Sequence, residues 1–137
     1  MSTAWADKLY GMVRNLLMNS ADIKGIVTSV YVGELAEQRR PKFPCITMRV
    51  VGSDSLAYNT SDGSLRIWVW SKKRASEATG IYSAIEIVLF NQRIERSGAI
   101  AVLKTKDDML EIFEQPTQMY SAVGTFNFRV INTTPSL

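Results

Sequence analysis

Histidine is absent from this 137-residue sequence, and cysteine occurs only once. Without histidine the chain lacks the usual general base near neutral pH and the commonest metal ligand. The single cysteine, Cys45, cannot form an internal disulfide, so stability must come from a hydrophobic core, which fits a reducing compartment. These absences argue against a histidine-dependent enzyme and against a disulfide-stabilised secreted domain.

Long apolar runs and a strong charge of either sign are also missing. No run approaches the ~20 apolar residues that span a bilayer, and the first residues lack the pattern of a signal peptide, so we expect no membrane partner. Sixteen basic and 13 acidic residues give a net charge of +3, spread along the chain rather than gathered as in a typical nucleic-acid binder. Hydrophobic content of 46% is typical of a globular protein, and the length suits one domain over residues 1–137.

Hydrophobic periodicity predicts two helices and six strands. The helices cover residues 2–20 and 72–93, and the strands cover residues 26–32, 45–51, 65–70, 99–105, 109–113 and 121–131. This order, α-β-β-β-α-β-β-β, predicts an α+β fold with a mostly antiparallel sheet packed by two helices. Residues 33–44 and 52–63 read as polar loops, and residues 132–137 as a frayed tail. In the last strand, Phe126, Phe128 and Val130 are expected to face the core.

The third predicted strand is apolar on both faces. Leu65, Ile67 and Val69 share one face, while Trp68 and Trp70 share the other. A half-buried strand would carry polar residues on one face, so something must cover the tryptophans. We expect the two helices of the same chain to cover them.

The second helix is also apolar on two sides. Its core stripe contains Ala78, Ile81, Tyr82, Ile85, Val88 and Leu89. Ile87 and Phe90 fall on the opposite side at 100° per residue, and a helix that is apolar on two sides is usually covered on both. Ile87 and Phe90 are therefore the candidate subunit interface.

Few residues suggest chemistry. Cys45 opens an apolar strand without a partnering base, and it is predicted to be a core residue rather than a nucleophile. Asp107, Asp108 and Glu111 would be the best residues of an unrecognised enzyme or metal site, but they are typical of a charged turn. No glycine-rich phosphate loop is present. We expect no catalytic residue, no metal and no cofactor.

Two basic clusters leave a nucleic-acid-binding module open as an alternative. Arg39, Arg40 and Lys42 form one cluster, and residues 72–74 form the other. Together with Trp68 and Trp70 they could contact phosphates and stack bases, although solvated loops explain the same clusters.

The order of elements resembles the tail-terminator (tail-completion) proteins of long-tailed bacteriophages. Two local motifs carry the resemblance: Phe43-Pro44-Cys45-Ile46 at the start of a strand, and a hydrophobic strand that ends in Trp70-Ser71 before a helix. The similarity extends over about residues 5 to 131.

The resemblance implies a structural virion protein without catalysis. Its partners would be further copies of itself in a six-fold ring, the tail tube protein and the head–tail connector, with DNA passing only through the lumen. The protein would reside at the head–tail interface of the virion, and in the host cytoplasm during assembly. The two loops would contact the tube or the connector, with Arg39, Arg40, Lys42, Tyr58 and Asn59 as candidate contact residues.

Overall fold

The computed structural model describes residues 4–27, 29–57, 59–96, 98–106, 110–114 and 118–132. The helices within these ranges are α1 (Ala4–Asn19), α2 (Ala21–Lys24) and α3 (Ala75–Leu89), and Leu35–Glu37 forms a 3₁₀ turn. The strands are β1 (Val30–Val32), β2 (Cys45–Ala57), β3 (Thr60–Ser71), β4 (Arg93–Arg96), β5 (Ala99–Lys106), β6 (Leu110–Glu114) and β7 (Met119–Asn132). The predicted α+β class, mostly antiparallel sheet packed by helices, is confirmed.

The strands form one mixed sheet in the order β1-β2-β3-β7-β5-β4. The short edge strand β1 runs parallel to β2, and the other pairings are antiparallel. β5 pairs with the C-terminal part of β7, and β6 pairs with its N-terminal part. β5 and β6 therefore lie along one side of β7 like a single interrupted strand.

The hydrophobic core lies between the helices and one face of this sheet. Phe126, Phe128 and Val130 are buried, as the alternation in the last strand predicted. The helices contribute Leu9, Met12, Val13, Leu17, Ala78, Ile81, Tyr82, Ile85 and Leu89 to the same cluster. Tyr82 lies directly over Gly124, where a Cβ atom would come within 1.6 Å of the tyrosine oxygen. Helix α3 thus packs closely on the centre of the sheet.

Side-chain hydrogen bonds connect both long helices to strands of the sheet. The Tyr10 hydroxyl of α1 accepts a bond from the backbone N–H of Val50 at 2.8 Å. The buried Ser71 hydroxyl donates to Glu77 at 2.8 Å and accepts the backbone N–H groups of Lys73 and Arg74. Ser71 therefore joins the end of β3 to the start of α3, which gives a physical reason for the Trp-Ser ending of that strand.

The predicted bounds of the second helix, residues 72–93, were wrong at both ends, and α3 begins at Ala75. The second helix ends at Leu89 rather than at residue 93, because Phe90 is extended and Asn91 takes a positive φ of 54°, a conformation that asparagine tolerates. Residues 93–96 then form β4, a strand that the prediction lacked.

The predicted loop 52–63 is mostly strand. β2 and β3 continue as a long hairpin because the 14-residue β7 supplies pairing partners as far as Thr60. The predicted strand over residues 26–32 is confined to Val30–Val32. Of the predicted frayed tail, Asn132 belongs to β7, and residues 133–137 lie outside the described residues.

Candidate functional site

Two exposed apolar side chains lie at the C-terminal end of α3, Ile87 in its last turn and Phe90 at its C-cap. Ile87 is 80% exposed and Phe90 is 49% exposed. The adjoining exposed face of α3 is small: the Ser83 hydroxyl folds back onto the carbonyl oxygen of Thr79 at 3.0 Å, and Gly80 has no side chain. Ile87 and Phe90 are exposed rather than packed in the core, as predicted, and we call this pair the α3 knob.

The helices do not cover the tryptophan face of β3, which corrects our prediction. Leu65, Ile67 and Val69 are fully buried beneath the helices, whereas Trp68 and Trp70 are half-buried on the opposite face of the sheet. The close approach of α3 requires small neighbours on the sheet, and those neighbours, Ala122 and Gly124, lie beside the aliphatic side chains. Both faces of β3 are apolar, so its own alternation could not reveal which one the helices take.

A different part of the chain borders the tryptophans. The Trp70 indole Nε1–H donates to the buried Thr47 hydroxyl at 3.0 Å. The Arg66 guanidinium lies 5.9 Å from the centroid of the Trp68 ring, within the range of a cation–π contact. Residues of the segment 33–44 lie beside Trp70 and form one wall of a groove.

This groove, which we call the Trp70 groove, has a volume of about 440 Å³. Its lining is mainly apolar and consists of Glu34, Leu35, Ala36, Gln38, Pro41, Phe43, Trp70 and Met119. The Nζ atom of Lys72 lies 4.5 Å from the centroid of the Phe43 ring. An open groove with aromatic walls and a cation at its edge is suited to bind apolar side chains of another molecule.

Hydrogen bonds hold the groove wall in place. The Gln38 side chain donates to the carbonyl oxygens of Val32 and Glu34 at 3.0 and 3.1 Å. The Glu34 carboxylate pairs with Arg49 at 2.5 Å, and the Lys42 backbone N–H donates to the Tyr31 hydroxyl at 3.3 Å. The wall is therefore preorganised, which lowers the entropy cost of binding.

The predicted contact residues separate into two places. Arg39, Arg40 and Lys42 are exposed on the segment beside the Trp70 groove. Asn59 is exposed at the turn of the β2–β3 hairpin, and Tyr58 lies outside the described residues. The 13 residues of β2 lie between Lys42 and this turn, a distance of roughly 40 Å at 3.3 Å per residue. The structure thus places these candidates at opposite ends of one hairpin.

An ion pair between β3 and β7 was not predicted from the sequence. Arg129 of β7 donates two hydrogen bonds to the Asp62 carboxylate, at 2.7 and 3.0 Å. The hydrogen bond and the charge of Asp62 raise the pKa of Arg129 above its ordinary value. The register of β3 and β7 would have predicted this ion pair, because Asp62 and Arg129 are directly opposite partners on these neighbouring strands.

The described part of the structure does not support the residues that were considered for catalysis or metal binding. Burial raises the pKa of the Cys45 thiol to about 11, which disfavours the reactive thiolate. Asp107 and Asp108 lie outside the described residues, and Glu111 lies on β6. Within the described part of the chain, no three acidic or cysteine side chains come together as a metal ion would require. None of the described helices is long and apolar enough to cross a membrane.

Comparisons with known proteins give a match of fold. No protein-family model matches the chain, and no curated protein matches it. Among solved structures, the chain is similar to a chain of one described as "Virion of native gene transfer agent (GTA) particle", with a TM-score of 0.71 and 18% sequence identity. The match covers 95% of this chain and 99% of that chain. At this identity the likeness shows a shared fold.

Proposed function

We propose that this chain is a structural virion protein of the tail-terminator type. Copies of it would form a six-fold ring at the head-proximal end of the tail tube, stop tube polymerisation and provide the docking surface for the head connector. One observation carries this proposal: the fold matches a virion chain over nearly the full length of both molecules. The sequence resemblance to tail terminators supports the same assignment independently.

The exposed apolar surface suits an assembly protein. A closed ring of identical subunits needs two different, complementary patches on each subunit. The α3 knob presents two large apolar side chains to solvent, and such exposed patches mark interaction sites. Ile87 and Phe90 are therefore our candidates for one subunit contact.

The two groups of polar contact residues suit the two partners of a ring between tube and connector. Arg39, Arg40 and Lys42 lie at one end of the β2–β3 hairpin, and Asn59 lies at the other. A ring that joins two structures needs one contact surface at each of its ends. We propose that these two ends of the hairpin supply them.

Electron microscopy of particles made with this gene disabled tests the function. We expect overlong or unjoined tail tubes beside filled heads, and the wild-type gene supplied in trans should restore normal particles. An Ile87→Glu gene should fail to restore them. Ile26→Glu is the matched control because Ile26 is also exposed and lies outside α3, so this gene should restore them. Tails of normal length, properly joined to heads, in the disabled strain would overturn the proposal.

A nucleic-acid-binding module is the second candidate. The observation that favours it is the half-exposed Trp68 ring beside Arg66, a pairing that single-strand binders use to stack bases. Tryptophan fluorescence in the presence of a single-stranded oligonucleotide tests it.

A further inference from the structure

We propose that the α3 knob of one copy inserts into the Trp70 groove of the next copy. This inference rests on the proposed ring and deepens it by naming both sides of the subunit contact. The contact would be heterologous: Ile87 and Phe90 on one subunit would meet Pro41, Phe43 and Trp70 on its neighbour.

The shapes of the two patches are complementary. The knob is exposed, and its neighbours on the α3 face, Gly80 and Ser83, are small. The groove is concave and apolar, with a volume of about 440 Å³. Since an apolar cavity of ~150 Å³ accommodates a benzene ring, the groove has room for the Phe90 ring and the Ile87 side chain.

The charges around the two patches are also complementary. The last turn of α3 contains no basic residue, so no side-chain charge within that turn offsets the partial negative charge of the helix C-terminus. Exposed cations neighbour the groove: Arg39, Arg40 and Lys42 belong to the segment that forms its wall, and Lys72 lies over the Phe43 ring. The groove's own acid, Glu34, is paired with Arg49. An apolar groove with neighbouring cations therefore fits an apolar knob at the negative end of a helix.

The placement of the patches determines the kind of assembly. The knob lies on the helical layer, and the groove lies on the opposite face of the sheet. Two copies cannot satisfy both patches in one pairwise contact, so each copy leaves one patch open for the next. Repetition of such a contact gives a closed ring or an open filament, and the end of a six-fold tube would act as the template that selects the ring.

Disulfide trapping tests this contact in the full-length protein. Ser83 lies beside the knob and Lys42 belongs to the segment that forms the groove wall, and both are exposed. The double variant Ser83→Cys/Lys42→Cys should give a ladder of oligomers under mild oxidation, which a reducing agent collapses to monomer. The matched control is Arg14→Cys/Lys42→Cys, in which the first cysteine lies on exposed α1 surface. The buried Cys45 contributes little background.

Mixing the single variants decides the geometry. Ser83→Cys alone and Lys42→Cys alone should stay monomeric, whereas a 1:1 mixture should give a disulfide-linked heterodimer and nothing larger. Adding Ile87→Glu to the double variant should reduce the ladder to the level of the Arg14→Cys control.

Two results would overturn the inference. One is a ladder no stronger than that of the Arg14→Cys control. The other is self-linking of either single variant as efficient as linking in the mixture, which would show a symmetric contact. The microscopy of the disabled strain is independent of these results, so overlong tubes with no disulfide ladder would leave the terminator function standing and remove only this contact.

Discussion

At the scale of single residues, Gly124 determines how closely the helical layer packs on the sheet. Tyr82 of α3 fills the space that a side chain at this position would need. Phe126, two residues further on the same face of β7, also lies beside Tyr82, with the ring centroids 6.4 Å apart. The close packing of α3 on the sheet therefore requires glycine at position 124, which has no Cβ atom.

Replacing this glycine should loosen the contact between α3 and β7. We expect Gly124→Ala to lower the free energy of unfolding by ~3 kcal/mol, because overpacking a close contact forces side chains and backbone to shift. The matched control is Gly80→Ala, an exposed helix position with nothing within 4 Å, which should raise stability by up to ~1 kcal/mol. Urea unfolding measures both. Equal effects of the two substitutions would contradict this account.

Cys45 should make stability depend on pH in the alkaline range. Burial raises the pKa of its thiol from about 9 to about 11, so between these values the unfolded chain loses its proton while the folded chain keeps it. The stabilisation from the buried neutral thiol is therefore complete below pH 9 and is lost as the pH rises towards 11. Urea unfolding at several pH values should show a steeper alkaline decline for wild type than for Cys45→Ala. If the free energy of unfolding falls equally with pH in wild type and in Cys45→Ala, the Cys45 thiol does not cause the alkaline decline.

At the scale of elements, the junction between β3 and α3 depends on Ser71. This one buried hydroxyl accepts the backbone N–H groups of Lys73 and Arg74, just before α3, and donates to the Glu77 carboxylate in the first turn of the helix. The junction also sets the position of Lys72, which lies over the Phe43 ring of the groove wall. Residues 71–74 therefore determine both the start of α3 and the position of Lys72 at the edge of the groove.

Removal of this hydroxyl should destabilise the start of α3. We expect Ser71→Ala to cost ~1–2 kcal/mol, because it removes the hydrogen-bond partner of two backbone N–H groups and of the Glu77 carboxylate. Ser83→Ala, which removes an exposed hydroxyl in the same helix, should change stability by less than ~0.5 kcal/mol. Hydrogen exchange should be faster in the first turn of α3 only in the Ser71 variant. Unchanged exchange there would show that the Ser71 hydrogen bonds do not stabilise the start of α3.

The sequence predicted which segments form helices and strands better than it predicted where these segments end and which face of the sheet the helices cover. The alternation of β7 identified its core face because one side of the strand is clearly apolar, and the core face of α3 was identified because most of its apolar residues lie in one stripe. The hairpin ends were misread because Gly52, Ser53 and Gly63 have the composition of a loop, while their strand pairing depends on β7, more than 50 residues further along the chain. The Trp70 groove was not predicted at all, since its wall and floor come from segments that only the folded sheet brings together.

At the scale of the whole molecule, the two faces of the sheet differ in what covers them. One face is closed by helices from the same chain. The other face carries the half-buried tryptophans, the groove and the exposed cations. The assembly hypothesis and the nucleic-acid hypothesis predict different uses of this face. An assembly contact uses the groove for apolar side chains, whereas a platform uses the tryptophan rings for bases.

Tryptophan fluorescence in the presence of a single-stranded oligonucleotide distinguishes these two uses. We expect little change at physiological salt, because the Trp70 indole is held by Thr47 and the edge of the Trp68 ring is only partly open. A stacking platform would instead show saturable quenching that weakens steeply as salt rises. Quenching that disappears in Trp68→Phe but persists in Trp70→Phe would place bases on the Arg66–Trp68 pair. That result would favour the nucleic-acid module over a ring whose lumen must let DNA pass without holding it.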